Sequence, residues 1–320
     1  MKEIFNKLLV DLSDNDSLVS AGNSLSVGSM RDYYEKLNYG LIVDSSTPPL
    51  LPHKIPNFNI YLATGRLLWM LRGSNSLSEM EYYDRKVSFF SDDGVVIPGS
   101  SFGHRIFSKN GNQLEQIIQR LNADSSSRRC VINVYDGTDN FRESRDIPCL
   151  LFLAFHIREN RLHLTIQMRS NNAFRLFLYN FYELSFLLKL VSYKTGVASG
   201  KIFYNALSMH LYNDDKKQVS LYLNQNANNI SHPPFPKFNF ENFEESLKHI
   251  QELEKFIRNE NSNIVLIDYN SNKSSYMEEL GSWFDYYLIL MHFKLHKSNN
   301  QIILNKIKEN LNPFFQNLLK

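Results

Sequence analysis

The 320-residue sequence predicts a mixed α/β protein followed by a helical C-terminal region. Three observations carry that prediction. Segments with apolar residues at helical spacing occur in the first half of the chain. A block of short runs rich in β-branched and aromatic residues fills the middle. Beyond about residue 241 the composition turns to Glu, Lys, Asn and Leu with helical periodicity throughout. Residues 1–240 are therefore read as one domain and 241–320 as a helical extension.

The elements follow in order. Ile4, Phe5, Leu8, Leu9 and Leu12 mark an N-terminal helix, and the Ser/Asn/Gly-rich segment from Ser13 to Ser29 reads as a loop long enough to suspect function. LNYGLIVD is strand-like, SSTPPLLPHKIPNF is a loop, and IYLATGRLLWMLRG is a helix that stops at Gly73. NQLEQIIQRL places Leu114, Ile117, Ile118 and Leu121 on one helical face. CVINVYD, LLFLAFHIREN and RLHLTIQMRS are strands, the last two joined by the short turn Glu159-Asn160. FLYNFYELSFLLKLVSYKTG is a helix apolar on most sides, hence buried, ending at Gly196. KIFYNALSMHLYN and KQVSLYLNQ resume strand and short-helix character.

Composition bounds the function. Lys plus Arg number 35 against 33 Asp plus Glu, with no concentrated basic stripe, so long nucleic acid is not an expected partner. No run of 18 uncharged apolar residues suggests a membrane span, and MKEIFNKLLVDLSDND does not read as a secretory signal. The expectation is a soluble cytoplasmic protein. Two cysteines, Cys130 and Cys149, provide neither a disulfide framework nor metal-ligand spacing, so no metal is expected.

Taken singly, the chemically interesting residues have plain readings. Cys149, between a proline and an apolar run, is by default an inert core thiol. Arg128-Arg129 reads equally as a solvated turn or an anion site. Arg169 alternates with Ile166 and Met168 and so faces solvent on a strand. Asn180 within an apolar helix needs a partner, either a ligand or another side chain. His210 would be a satisfied core histidine.

The segments taken together resemble the thymidylate synthase family over about residues 55–240. RLLWMLRG resembles its Leu-Leu-Trp helix, and NQLEQIIQRLNADSSSRR its helix and Ser-Arg-Arg loop. DIPCLLFLAFHI, followed by RLHLTIQMRSNNAFRLFLYNFYEL, resembles the Pro-Cys nucleophile strand, the Gln-Arg-Ser strand and the asparagine-bearing helix. SMHLYN resembles its His-Ile-Tyr segment, and PPFPKFNF a Pro-Leu-Pro-Lys strand. The resemblance implies a three-layer fold with a mixed sheet, covering helices on one side and a homodimer interface on the other.

It also implies a chemistry. Thiolate addition at C6 of a pyrimidine makes C5 nucleophilic toward a one-carbon electrophile. Cys149 would be the nucleophile and Arg169 its stabiliser and a phosphate ligand. Arg128 and Arg129 would reach the partner subunit's nucleotide phosphate, with Ser170 adding a hydroxyl. Asn180 would read the base edge, and His210 and Tyr212 would bind the sugar of a pyrimidine nucleoside monophosphate. Methylenetetrahydrofolate would be the one-carbon donor.

Several positions depart from the family pattern. Arg66 stands where a proton-handling glutamate precedes Leu-Leu-Trp, and a guanidinium cannot accept protons. Asn172 replaces the aspartate that holds the pterin, and VSFFSDDG lacks the tryptophan that packs on folate. Leu150 replaces the histidine after the nucleophile, and Phe102 replaces a tyrosine. Ser24 falls where a phosphate-binding arginine would be, and about 75 residues of different character stand in place of the short closing tail. The losses concentrate on folate and proton handling, while nucleotide-binding groups remain. The expected activity is C5 hydroxymethyl or methyl transfer in a diverged member. The alternatives are a folate-independent nucleotide enzyme and an inactive nucleotide-binding homologue.

Overall fold

The computed structural model describes residues 1–13, 18–20, 31–225, 233–296 and 300–319. The Ser13–Ser29 loop and Ser24 lie largely or wholly outside them. The described residues fall into two compact units, the first drawn from Met1–Leu51, Ile55–Phe58 and Trp69–Ile230, the second from Pro52–Lys54, Asn59–Leu68 and Ser231–Lys320.

The elements run α1 (Lys2–Leu12), β1 (Leu18–Val19), β2 (Tyr33–Asp44), α2 (Ile60–Arg72), α3 (Leu77–Glu81), α4 (Phe102–Phe107), α5 (Gln113–Ala123), β3 (Val131–Asn133), β4 (Leu150–Arg158), β5 (Arg161–Asn172), α6 (Phe177–Thr195), β6 (Ser199–Tyr212) and α7 (Lys216–Gln225). Helices α8 (Phe243–Asn259), α9 (Ser262–Leu280), α10 (Phe284–His296), α11 (Gln301–Asn310) and α12 (Pro313–Gln316) complete the chain.

The first unit is organised by a six-stranded sheet of order β1-β2-β6-β5-β4-β3. Neighbours are antiparallel except β5 and β6, which are parallel and joined by α6. A parallel pair needs such a crossover, whereas β4 and β5 need only a two-residue turn. Glu159 and Asn160 make that turn with positive φ values of 52° and 54°. Helix α6 ends at Gly196, whose left-handed φ of 68° lets its N–H and that of Val197 return to the Tyr193 and Ser192 carbonyls.

One sheet face is the core. On β5 the residues Leu162, Leu164, Ile166 and Met168 are buried, and on β6 Ile202, Tyr204 and Ala206. Phe177 and Phe181 of α6 pack on Tyr204 with ring centroids 5.2 and 6.3 Å away, and Phe5 of α1 stacks on Phe177 at 6.3 Å. On the opposite face a register row runs Val131, Ala154, Thr165, Phe203, Ile42 across five strands. Its ends stay open, with Val131 39% and Ile42 65% exposed.

The alternation breaks along one line across the sheet. Burial switches from even to odd positions between Ala206 and Met209 on β6, and on β5 the even pattern ends at Met168 and is followed by adjacent buried residues Asn171 and Asn172. Opposite, Asn38 on β2 takes a positive φ of 53°, and β4 shifts register between Leu150 and Phe152. Such bulges re-aim side chains. Arg169 sits on this line and escapes the buried pattern.

The second unit is helical. Helix α8 buries Phe243, Ile250, Leu253 and Ile257 along one stripe, whereas α10 is buried almost all round. Phe238, Trp283 and Tyr286 cluster edge to face, with Phe238 and Trp283 centroids 4.8 Å apart. Helix α9 shows no apolar stripe, and its buried residues are Val265, Tyr269 and Leu280. In the same unit Tyr61 stacks on His292 and their Oη and Nδ1 atoms lie 2.8 Å apart.

Candidate active site

Cys149 ends the segment Asp146-Ile147-Pro148 that leads into β4. Its carbonyl accepts the Arg169 N–H at 2.6 Å, so backbone pairing sets the two side chains beside each other. The Arg169 guanidinium lies 3.8 Å from Cys149 Sγ and 3.4 Å from the Ile147 and Pro148 carbonyls. Its side chain has no carboxylate partner among the described residues. That leaves a cation beside a thiol with donor capacity for an anion.

Burial pushes the Cys149 thiol up, Arg169 pulls it down, and Asp146 adds to the upward push. The net direction is upward. Sequence reasoning asks for a depressed thiol; desolvation outweighs the guanidinium in the protein as it stands.

Asp146 is the support that sequence reasoning missed. It is buried and accepts hydrogen bonds from the Gly99 N–H at 2.7 Å, the Ser100 N–H at 2.6 Å and the Ser100 hydroxyl at 2.6 Å. Gly99 is required there, because a Cβ would come within 2.3 Å of the Asp146 carbonyl oxygen. Next to that turn, Arg105 forms a bidentate pair with Asp139 at 2.6 and 2.8 Å, and its remaining donors reach the Pro98 and Val134 carbonyls. A charged residue inside the apolar FGHRIF run is the signal that could have found it.

On the adjoining strands, Ser170 Oγ lies 3.2 Å from His210 Nδ1, and His210 makes edge contacts with Tyr212 at 5.4 Å and Tyr33 at 5.8 Å. Burial drives His210 down to about 4, with Arg169 adding to the effect, so its ring is neutral near pH 7. Two guanidinium groups lie near the Tyr212 ring, Arg31 at 5.1 Å and Arg175 at 5.6 Å from its centroid. Arg175 is held by a bidentate pair to Asp215 at 2.6 and 2.7 Å. Burial raises the Tyr212 phenol, against the pull of both guanidiniums.

Asn180 faces inward from α6 and is 3% exposed. Its Nδ2 donates to Asn171 Oδ1 at 3.2 Å, and the Asn171 amide donates to the Tyr204 hydroxyl. An internal partner is therefore present. Asn172 Oδ1 accepts the Phe174 and Arg175 N–H groups at 3.1 and 2.7 Å, which fixes the turn into α6.

The structure thus brings Cys149, just before β4, together with Arg169 and Ser170 of β5 and His210 and Tyr212 of β6, with Asn180 reached through Asn171. Arg128 and Arg129 are exposed on the loop after α5, and no hydrogen bond or ion pair joins their side chains to that group. Leu150 is buried on β4, and Phe102 is buried at the start of α4. Among the described residues no group of three or more His, Cys, Asp or Glu side chains could hold a metal ion. No described helix is long and apolar enough to cross a membrane.

Asn172 also tests the folate site. Its buried Nδ2 has no partner in the structure, so the group offers a donor. The pyrimidinone edge of a pterin offers N–H donors to the family's aspartate at this position, and a donor does not complement them. The residues present do not fit folate bound in that manner.

The chain belongs to the thymidylate synthase family, whose model matches residues 33–279. A deoxyuridylate hydroxymethyltransferase of Bacillus phage SP01 is 28% identical over 173 residues, 50% of this chain and 45% of the relative. A putative thymidylate synthase of Methanocaldococcus jannaschii is 30% identical over 150 residues, 45% of this chain and 60% of the relative. The chain thus spans about half the length of these curated relatives. Thermostable thymidylate synthase A from Bacillus subtilis shares the fold, with a TM-score of 0.59 at 18% identity over 72% of this chain and 86% of that one.

Proposed function

We propose that the protein is a one-carbon transferase acting on a pyrimidine nucleoside monophosphate, with C5 hydroxymethyl or methyl transfer as its reaction. The observation that carries this reading is the Arg169 guanidinium 3.8 Å from Cys149 Sγ without a carboxylate of its own. The Cys149 thiolate adds at C6, the enolate-like ring bonds from C5 to a one-carbon electrophile as that carbon leaves its carrier, and loss of the C5 proton with expulsion of the thiolate from C6 restores the 5,6 double bond. Arg169 and Ser170 hold the phosphate, His210 and Tyr212 the sugar, and Asn180 the base edge. The name of the Bacillus phage SP01 relative agrees with a pyrimidine nucleotide and hydroxymethyl transfer.

The catalytic domain in this reading is residues 1–240, with 241–320 as a helical extension, in a cytoplasmic homodimer. The exposed ends of the row, Val131 and Ile42, support a partner on that sheet face, and exposed Arg128 and Arg129 suit delivery to the partner's phosphate. The mismatch at Asn172 favours the folate-independent alternative over methylenetetrahydrofolate, so no step is routed through folate.

The test is tritium release from 5-tritiated uridine and cytidine monophosphates, ribo and deoxy, with and without methylenetetrahydrofolate. Wild-type protein releases tritium and Cys149→Ala does not. No release from any of the nucleotides under either condition overturns the enzymatic reading; nucleotide binding that then survives Cys149→Ala identifies a binding homologue.

A further inference from the structure

We infer that Glu35 makes the site select ribonucleotides, its free carboxylate oxygen accepting a hydrogen bond from the sugar 2′-hydroxyl. The inference rests on the pyrimidine nucleotide reading of the site and adds the sugar to it.

Glu35 lies on β2 directly opposite His210 in the antiparallel β2–β6 ladder. Opposite residues of such a pair share a face of the sheet. The contacts agree. Ser208, two residues before His210, donates its hydroxyl to Glu35 Oε1 at 2.5 Å, and Tyr33, two before Glu35, meets the His210 ring edge on at 5.8 Å. Ser208 is also the β6 partner of Ser170, whose Oγ lies 3.2 Å from His210 Nδ1. Glu35 is thereby set beside the groups that hold phosphate and sugar.

The sheet is open at this point. Ser208, His210 and Tyr212 are half-buried, whereas Met209 and Leu211 between them are fully buried. On β2, half-buried Tyr33 and Glu35 flank buried Tyr34 in the same way.

The carboxylate is only partly used. Oε1 takes the Ser208 hydroxyl, while among the described residues no cation pairs with Glu35 and Oε2 accepts no hydrogen bond. An ionised carboxylate offers acceptors alone, so a ligand group facing Oε2 must bring a donor. An ionised phosphate has none. The order of strands separates the two anions as well. Because β6 lies between β2 and β5, Glu35 and Arg169 stand on opposite sides of the strand that carries His210. With the phosphate on β5 and the sugar on β6, the group next in line toward β2 is a sugar hydroxyl. His210 and Tyr212 take the hydroxyl that both sugars carry, and Glu35 meets the one that only ribose carries. A carboxylate accepting from a ribose 2′-hydroxyl is the arrangement dinucleotide sites use.

The experiment is calorimetric titration of the full chain with uridine and cytidine monophosphates in matched ribo and deoxy pairs. A hydrogen bond to a charged acceptor is strong enough to give wild-type protein a ribose preference of about fivefold or more. Glu35→Ala removes the acceptor and is expected to bring the two sugars within about twofold of each other, chiefly by weakening the ribonucleotide. Glu35→Gln keeps an oxygen acceptor without the charge and should retain part of the preference. A purely structural role would weaken both sugars alike and leave the ratio where it was. A wild-type preference below about fivefold, or a ratio that Glu35→Ala does not lower, overturns the inference while leaving the pyrimidine site standing. Equal tightening of both sugars in Glu35→Ala also overturns it, by showing that the carboxylate opposes the phosphate. Absence of binding by every pyrimidine nucleotide overturns the site and the inference with it.

Discussion

Cys130 and Cys149 precede neighbouring strands, and burial raises both thiols, yet their surroundings assign them different work. Cys130 is fully buried against the Ile117 carbonyl of α5, 4.0 Å from its Sγ. Cys149 is partly open and has a guanidinium at 3.8 Å. The same contrast separates the arginines. Arg105 spends its donors on Asp139 and two carbonyls, while Arg169 makes long contacts and keeps no carboxylate. What distinguishes the site is a cation left without a permanent anion, beside a thiol that is reachable.

The largest effect that can break this comparison is on stability. Removing one member of a buried ion pair strands the other, which costs about 3–5 kcal/mol. Arg105→Ala is expected to lose up to that much in chemical denaturation, because buried Asp139 would keep only the longer contact to Arg142 at 3.3 Å. Arg169→Ala is expected to change stability by less than about 1 kcal/mol and to abolish nucleotide binding. Comparable losses in the two variants would mean that Arg169 is a structural arginine like Arg105.

A second contrast concerns pH. His210 sits near 4 in the folded protein against an ordinary 6.5, so the folded state binds fewer protons than the unfolded state between those values. Stability therefore rises with pH through that window and is lost as pH falls below about 6.5, by at most about 3 kcal/mol at pH 4. His292, stacked on Tyr61 in the helical unit and also driven to about 4 by burial, acts in the same direction. His210→Gln should flatten part of the acid limb of a denaturation series, and His292→Gln another part. An unchanged limb in His210→Gln would show that His210 is solvated and protonates freely in the fold.

Much of this fold was legible because its signals are local. Gly196 after a long apolar helix, Glu159-Asn160 between two strands and the stripe Leu114, Ile117, Ile118, Leu121 each fix a nearby backbone geometry. The pairing of Arg105 with Asp139 was not legible, since it joins residues 34 positions apart and neither spacing nor periodicity marks it. The exposure of Arg169 followed from strand alternation, although the alternation itself fails there. The bulged line that re-aims the strand depends on β2, β6 and β4 together, which no single stretch encodes. Asn180 was recognisable as needing a partner. Its choice of Asn171, nine residues back, depends on how α6 folds over β5.

The smallest expected effect sharpens the comparison most closely, because it reads the thiols themselves. In a Cys130→Ser background, alkylation of Cys149 by iodoacetamide is expected to be slow near pH 7 and to climb through the alkaline range, since burial raises the thiol. Arg169→Gln removes the one group that pulls the thiol down and should move the profile to higher pH. Asp146→Asn removes the carboxylate that pushes it up and should move the profile to lower pH, by a several-fold rate change at fixed pH. Opposite shifts in the two variants locate both charges around the sulfur. Shifts in the same direction would mean that Asp146 governs Cys149 through the Gly99-Ser100 turn it holds rather than through its charge.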